Sequence, residues 1–118
     1  MRSMIASSDA DHVLICLHHP PVKVGSAWLD SVGLDNGPQL LSELATDGRV
    51  RMALFGHVHQ AYDAMHDGIR IVGTPSTCRQ FLPASDEFAV DDRPPAYRRL
   101  SLQPDGDVDT EVIWVGDA

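Results

Sequence analysis

The chain has 118 residues, about the size of one domain, and 43% of them are hydrophobic, enough for a buried core. Seventeen acidic against nine basic residues leave a formal net charge of −8, and Arg98-Arg99 is the only adjacent basic pair, which excludes broad binding to a nucleic-acid backbone. Cys16 and Cys78 are too few for a disulfide framework, so a cytoplasmic setting is expected, and no run approaches the roughly 20 apolar residues of a membrane helix.

In chain order, residues 1–12 are small, polar and acidic and are expected to be a disordered or non-native N-terminal segment, leaving 13–118 as the folded part. Residues 13–17 form a continuous apolar run, the pattern of a strand buried on both faces, with Cys16 inside it as an inert buried thiol. Pro20-Pro21 ends that strand. Residues 22–35 read as a loop marked by Gly25, Asp30 and Gly33, with Trp28 and Leu29 packed on the core or rimming a pocket. A helix follows. Asn36 can cap it, Pro38 fits its first turn, Leu40, Leu41, Leu44 and Ala45 make its apolar stripe, and Gly48 ends it.

Residues 50–55 are a second buried strand, so 13–55 reads as strand, crossover, helix, strand, the grammar of an α/β layer with a right-handed crossover. Asp67-Gly68 between 61–66 and 69–73 is a two-residue hairpin signal. Residues 74–95 read as irregular, and 97–102 with 108–115 make a last hairpin about Pro104-Asp105-Gly106. The expected fold class is α/β: a strand-helix-strand unit followed by two antiparallel hairpins.

Chemistry concentrates after the two buried strands. His18-His19-Pro20-Pro21 follows the first and Gly56-His57-Val58-His59 the second. Ligands of open α/β sheets gather at the carboxyl ends of strands, and imidazole is the commonest side-chain ligand for transition metals. On an extended segment His57 and His59 would share one face. Paired metals suit phosphoester hydrolysis because they clamp both the attacking and leaving oxygens. His12, His66 and the acidic pairs Asp86-Glu87 and Asp91-Asp92 are expected to be solvated surface.

The motifs His18-His19-Pro20-Pro21 and Gly56-His57-Val58-His59 resemble the last two signature blocks of the calcineurin-like metallophosphoesterases. Residues 25–30 (Gly-Ser-Ala-Trp-Leu-Asp) and 74–81 (Thr-Pro-Ser-Thr-Cys-Arg-Gln-Phe) narrow the resemblance to the bacterial class III cyclic-nucleotide phosphodiesterases of the Icc type. The likeness extends from Val13 to Val115. It implies the C-terminal half of a metallophosphoesterase α/β sandwich, with His18 and His57 ligating one metal and His59 the other. It also implies His19 as the catalytic residue on the substrate side, and Thr77, Cys78 and Gln80 beside the nucleotide. The implied cofactors are two divalent ions (iron, manganese or zinc) in the intact enzyme, with partial or no occupancy in this chain. Three further blocks expected upstream, Asp-x-His, Gly-Asp-x-x-Asp and Gly-Asn-His, do not occur here.

The expected function is therefore the C-terminal portion of a phosphodiesterase that hydrolyses cyclic nucleotides such as cAMP to the 5′-monophosphate, inactive alone. Two alternatives stand beside it. One is a non-catalytic fragment that self-associates through the exposed half-domain surface. The other, ranked last, is a mononuclear zinc hydrolase with three histidines and water.

Overall fold

The computed structural model describes residues 1–116. Helix α1 spans Arg2–Ser7, strand β1 Val13–Leu17, the short helix α2 Ala27–Asp30, helix α3 Gly37–Ala45 and strand β2 Val50–Phe55. Strands β3 (Tyr62–His66) and β4 (Ile69–Gly73) follow. Then come β5 (Gln80–Phe81), β6 (Val90–Asp91), β7 (Ala96–Leu102) and β8 (Val108–Trp114).

Four strands form one sheet in the order β1-β2-β4-β3. β1, β2 and β4 run parallel, and β3 returns antiparallel to β4 through Asp67-Gly68, both in the left-handed region that a tight hairpin turn uses. The register places Leu17 beside Phe55 and Phe55 beside Gly73, so three strands end along one edge of the sheet. The α/β class and both expected hairpins are present.

The side-chain period of two splits each strand between two faces. Ile15, Ala53, Phe55, Ile69 and Ile71 pack with Leu29 of α2 and with Leu41 and Leu44 of α3 in the main core. Gly37 opens α3 because the helix start lies against Pro21. A Cβ at Gly37 would sit 2.2 Å from the Pro21 carbonyl oxygen. On the other face, Met52 and Val72 are equally buried. The β7–β8 hairpin is tied to the sheet by two arginines. Arg70 donates to the Val108 carbonyl at 3.2 Å, and Arg98 donates to the Gly73 carbonyl at 3.0 Å.

Two departures from the sequence reading concern the first strand and the segment before it. Cys16, expected to be buried, is exposed. Its row across the sheet runs Cys16, Leu54, Val72, and burial rises in that order from exposed to fully buried. β1 is an edge strand, and the hairpin, anchored by arginines at β4, reaches it at its His12 end, so Cys16 stays exposed. Residues 2–7, read as outside the folded unit, form α1, and Ile5 packs against the core. Arg49 holds this segment by donating to the carbonyls of Ile5 (2.9 Å), Ser8 (2.9 Å) and Ala10 (3.2 Å), and it pairs with Asp47 at 2.8 Å. That clasp is long-range and has no local sequence signal. The stretch 74–95, read as irregular, contains the two-stranded β5–β6 ribbon. Among the described residues, no helix is long and apolar enough to cross a membrane.

Candidate metal and phosphate site

The site grows from the carboxyl edge of the parallel sheet. The Gly56 N–H donates to the His18 carbonyl at 3.1 Å, which extends the β1–β2 pairing one step and brings the two histidine loops together. His57 Nδ1 then lies 3.2 Å from His18 Nε2, so one ring donates to the other. His19 joins them, its ring 4.5 Å from that of His57 and 5.0 Å from that of His18.

The device that presents His57 and His59 is not an extended strand, as the spacing alone implied. Both residues sit in the left-handed region, with φ of 66° and 52°. Val58 between them is 0% exposed and acts as the peg. Its N–H turns back to the Gly56 carbonyl at 2.6 Å. Two successive departures from extended backbone cost on the order of 1–3 kcal/mol each, and such strain collects at functional sites. The result sends the two rings to different neighbours. His57 faces His18 and His19, whereas His59 stacks flat on Phe81, with centroids 4.1 Å apart and planes at 5°.

Electrostatics suit metal ligation at both rings. Burial lowers the pKa of His57 below the usual imidazole value, and the neighbouring His19, His18 and His59 lower it further. A neutral imidazole is the form that binds metals. His57 Nε2 is buried without a partner. His59 Nδ1 lies 2.7 Å from the Arg79 carbonyl, which accepts only, so Nδ1 donates there and Nε2 is the nitrogen turned to a ligand. A carbonyl fixing the tautomer in this way is the usual support of a ligating histidine.

The donor chemistry fits a divalent transition metal as far as imidazoles go. It stops there. Among the described residues, no group of three or more His, Cys, Asp or Glu side chains is placed to hold a metal ion. A mononuclear three-histidine zinc site is therefore not assembled among the described residues.

The 74–81 loop borders this centre because it leaves the end of β4, the third strand of the same edge. Thr77 and Cys78 are exposed on it. Gln80 is not: its side chain is fully buried and spent on the loop itself. Its Oε1 accepts the Ser76 N–H at 2.8 Å, and its Nε2 donates to the carbonyls of Ser76 (2.8 Å) and Pro94 (2.9 Å). This departs from a substrate-facing role, because both amide donors are already used. Arg79, whose carbonyl orients His59, and Phe81, which supports its ring, gave no separate signal in the sequence. Their part depends on a contact 20 or more residues from β2.

No family model matches the chain. Curated relatives do. It is 39% identical over 117 residues to the 3′,5′-cyclic adenosine monophosphate phosphodiesterase CpdA of Pseudomonas aeruginosa, covering 99% of this chain and 43% of that protein. The identity to CpdA of Escherichia coli (strain K12) is 40% over 117 residues, with 99% and 42% covered. A 3′,5′-cyclic-nucleotide phosphodiesterase of Nostoc is 39% identical over 99 residues, with 84% and 37% covered. The chain thus spans about two fifths of the length of the curated relatives it matches.

A mixed α/β sheet with two histidine loops at its carboxyl edge is compatible with a metallophosphoesterase half-domain. Over nearly its whole length the chain is similar to the C-terminal portion of Icc-type cyclic-nucleotide phosphodiesterases, at 34–43% identity to relatives named CpdA.

Proposed function

We propose that this chain supplies the histidine half of a dinuclear-metal phosphodiesterase that hydrolyses 3′,5′-cyclic nucleotides such as cAMP to the 5′-monophosphate. The observation that carries the reading is the convergence of His18, His19 and His57 at the carboxyl edge, in a chain whose relatives are named cAMP phosphodiesterases. In this reading His18 and His57 hold one divalent ion and His59 the other, the ion being iron, manganese or zinc. When bound, the metals supply Lewis acidity at the phosphoryl oxygens and lower the pKa of water. His19 stands beside the phosphate, where an imidazole stabilises charge or moves a proton. Thr77 and Cys78 line the approach, and Gln80 keeps the loop in place. The isolated chain turns over little or no substrate, because among the described residues no carboxylate completes the metal set. Both thiols are free, which suits the cytoplasm.

The test is a titration of the purified chain with Zn²⁺ and Mn²⁺ beside His57→Ala. Specific, sub-stoichiometric binding that the variant abolishes is expected, with no hydrolysis of cAMP. Identical titrations of the two proteins would overturn the half-site, and manganese-dependent hydrolysis by this chain alone would overturn its inactivity.

A second reading is favoured by the open edge of β1. An unpaired apolar edge strand pairs readily with another chain. On this reading the chain self-associates as a structural module, and a monomer by light scattering at all concentrations would remove it.

A further inference from the structure

Three aromatic side chains outside the histidine motifs form a cluster against the site. Trp28 comes from α2, Phe81 from β5, and Phe88 from the loop between β5 and β6. Their rings meet edge to face, with centroids 5.0 Å (Trp28–Phe81), 5.3 Å (Trp28–Phe88) and 5.5 Å (Phe81–Phe88) apart. The cluster is continuous with the phosphate side through one contact, the flat stack of His59 on Phe81 at 4.1 Å. Phe88 is 64% exposed, in a loop that also carries the exposed Leu82 and the polar Ser85, Asp86 and Glu87. Trp28 Nε1 is a buried donor without a partner in the protein. A buried polar atom of this kind calls for an acceptor, and a ligand atom is one source.

We propose that Phe88, with Trp28 and Phe81 behind it, is a stacking platform for the base of a bound nucleotide, preferring the large face of a purine. The inference rests on the phosphodiesterase reading, since the phosphate at the imidazoles is what places the base. In a nucleotide one ribose joins phosphate to base, so a base site must lie a short distance beyond the phosphate ligands. Phe88 meets that requirement, two ring contacts from His59. Stacking on an aromatic face is strong and tolerant of the base's edge pattern. A hydrogen-bonding pocket is not needed, and the exposed rim around Phe88 offers few fixed partners. Specificity on this surface is therefore for a planar ring over none, and only mildly among bases.

The test follows aromatic and imidazole NMR signals of the chain, with Zn²⁺ present, as three probes are added. Adenosine 5′-monophosphate is expected to move both sets. Adenosine should move only Trp28, Phe81 and Phe88, and ribose 5-phosphate only the histidines. Phe88→Ala should weaken adenosine 5′-monophosphate roughly tenfold and leave ribose 5-phosphate unchanged, while Phe88→Tyr restores the affinity. Phe88 is exposed, so these variants should keep the wild-type unfolding midpoint. Aromatic signals unmoved by both adenosine probes, or equal affinities in Phe88→Ala and wild type, would overturn the platform. Aromatic shifts that follow protein concentration and not adenosine would also overturn it, by assigning the face to a second copy. Histidine signals unmoved by either phosphate probe would instead overturn the phosphodiesterase reading on which the platform rests.

Discussion

Replacing Gln80 by Leu separates a loop clamp from a substrate contact. The wild-type amide closes three hydrogen bonds of 2.8–2.9 Å around Ser76 and Pro94, and it is 2% exposed. Leucine keeps most of the volume and none of the polarity. The Ser76 N–H and the Pro94 carbonyl lose their partner, whereas the Ser76 carbonyl keeps the Ala96 N–H at 2.9 Å, and each stranded group costs about 1–3 kcal/mol when buried. Ser76 is only half-buried, so water recovers part of this, and a net loss of about 3 kcal/mol is expected. For a chain of this size that corresponds to a fall of about 12 °C in Tm. Urea and thermal unfolding measure it directly. Gln80→Glu sharpens the test. Its carboxylate still accepts from Ser76 N–H but faces two carbonyl oxygens, which raises its own pKa by removing the donors. The variant should be at least as unstable as Gln80→Leu at neutral pH and regain stability as pH falls and the carboxyl protonates. Wild-type stability in both variants, together with lost nucleotide binding, would refute the clamp and return Gln80 to the substrate.

Gly37→Ala should destabilise by about 3 kcal/mol in urea unfolding, because the new Cβ meets the Pro21 carbonyl oxygen at 2.2 Å and backbone cannot yield cheaply. Helix propensity alone forecasts the opposite sign, so a stabilised variant would deny the close approach. Arg49→Ala should raise the Asp47 pKa from about 2 toward the ordinary 3.8, since the Arg49 side chain is the main cause of the depression. The carboxyl is depressed in the folded state, so its stabilising effect is complete above the ordinary value and fades as pH falls toward 2. Carbon-13 titration of Asp47 checks this, and a flatter acid limb of stability should accompany it. The same variant should speed amide exchange in residues 2–7, because Arg49 holds the carbonyls of Ile5 and Ser8; unchanged exchange would show that Ile5 packing and the Arg2–Glu43 pair suffice to hold α1.

Much of the architecture was readable from local pattern. The continuous apolar runs at 13–17 and 50–55 became parallel neighbours, Leu40, Leu41 and Leu44 of the expected stripe face the core from α3 while Ala45 is exposed, and Asp67-Gly68 became the β3–β4 turn. These succeed because side-chain period and turn preference act within a few residues; the expected caps do not, since Asn36 makes no side-chain cap hydrogen bond and Thr46, ahead of Gly48, ends α3. The histidine motifs were also legible, since they follow the strands directly and the strand ends share one edge.

What the tertiary structure alone decided depends on contacts far apart in the chain. Burial of Cys16 was misjudged because an apolar run does not reveal whether a strand is central or at the edge; β1 has one sheet neighbour, and Cys16 is exposed on it. The expectation that His57 and His59 share a face assumed extended backbone. Val58, drawn into the core, forces both into the left-handed region and sends their rings apart. Gln80 lay inside a motif that pointed to substrate, yet Ser76 and Pro94 consume its amide. The aromatic surface at Phe88 draws residues from positions 28, 81 and 88. Sequence determines which side chains can bind a metal or stack a base; the crossing of distant loops determines which of them meet.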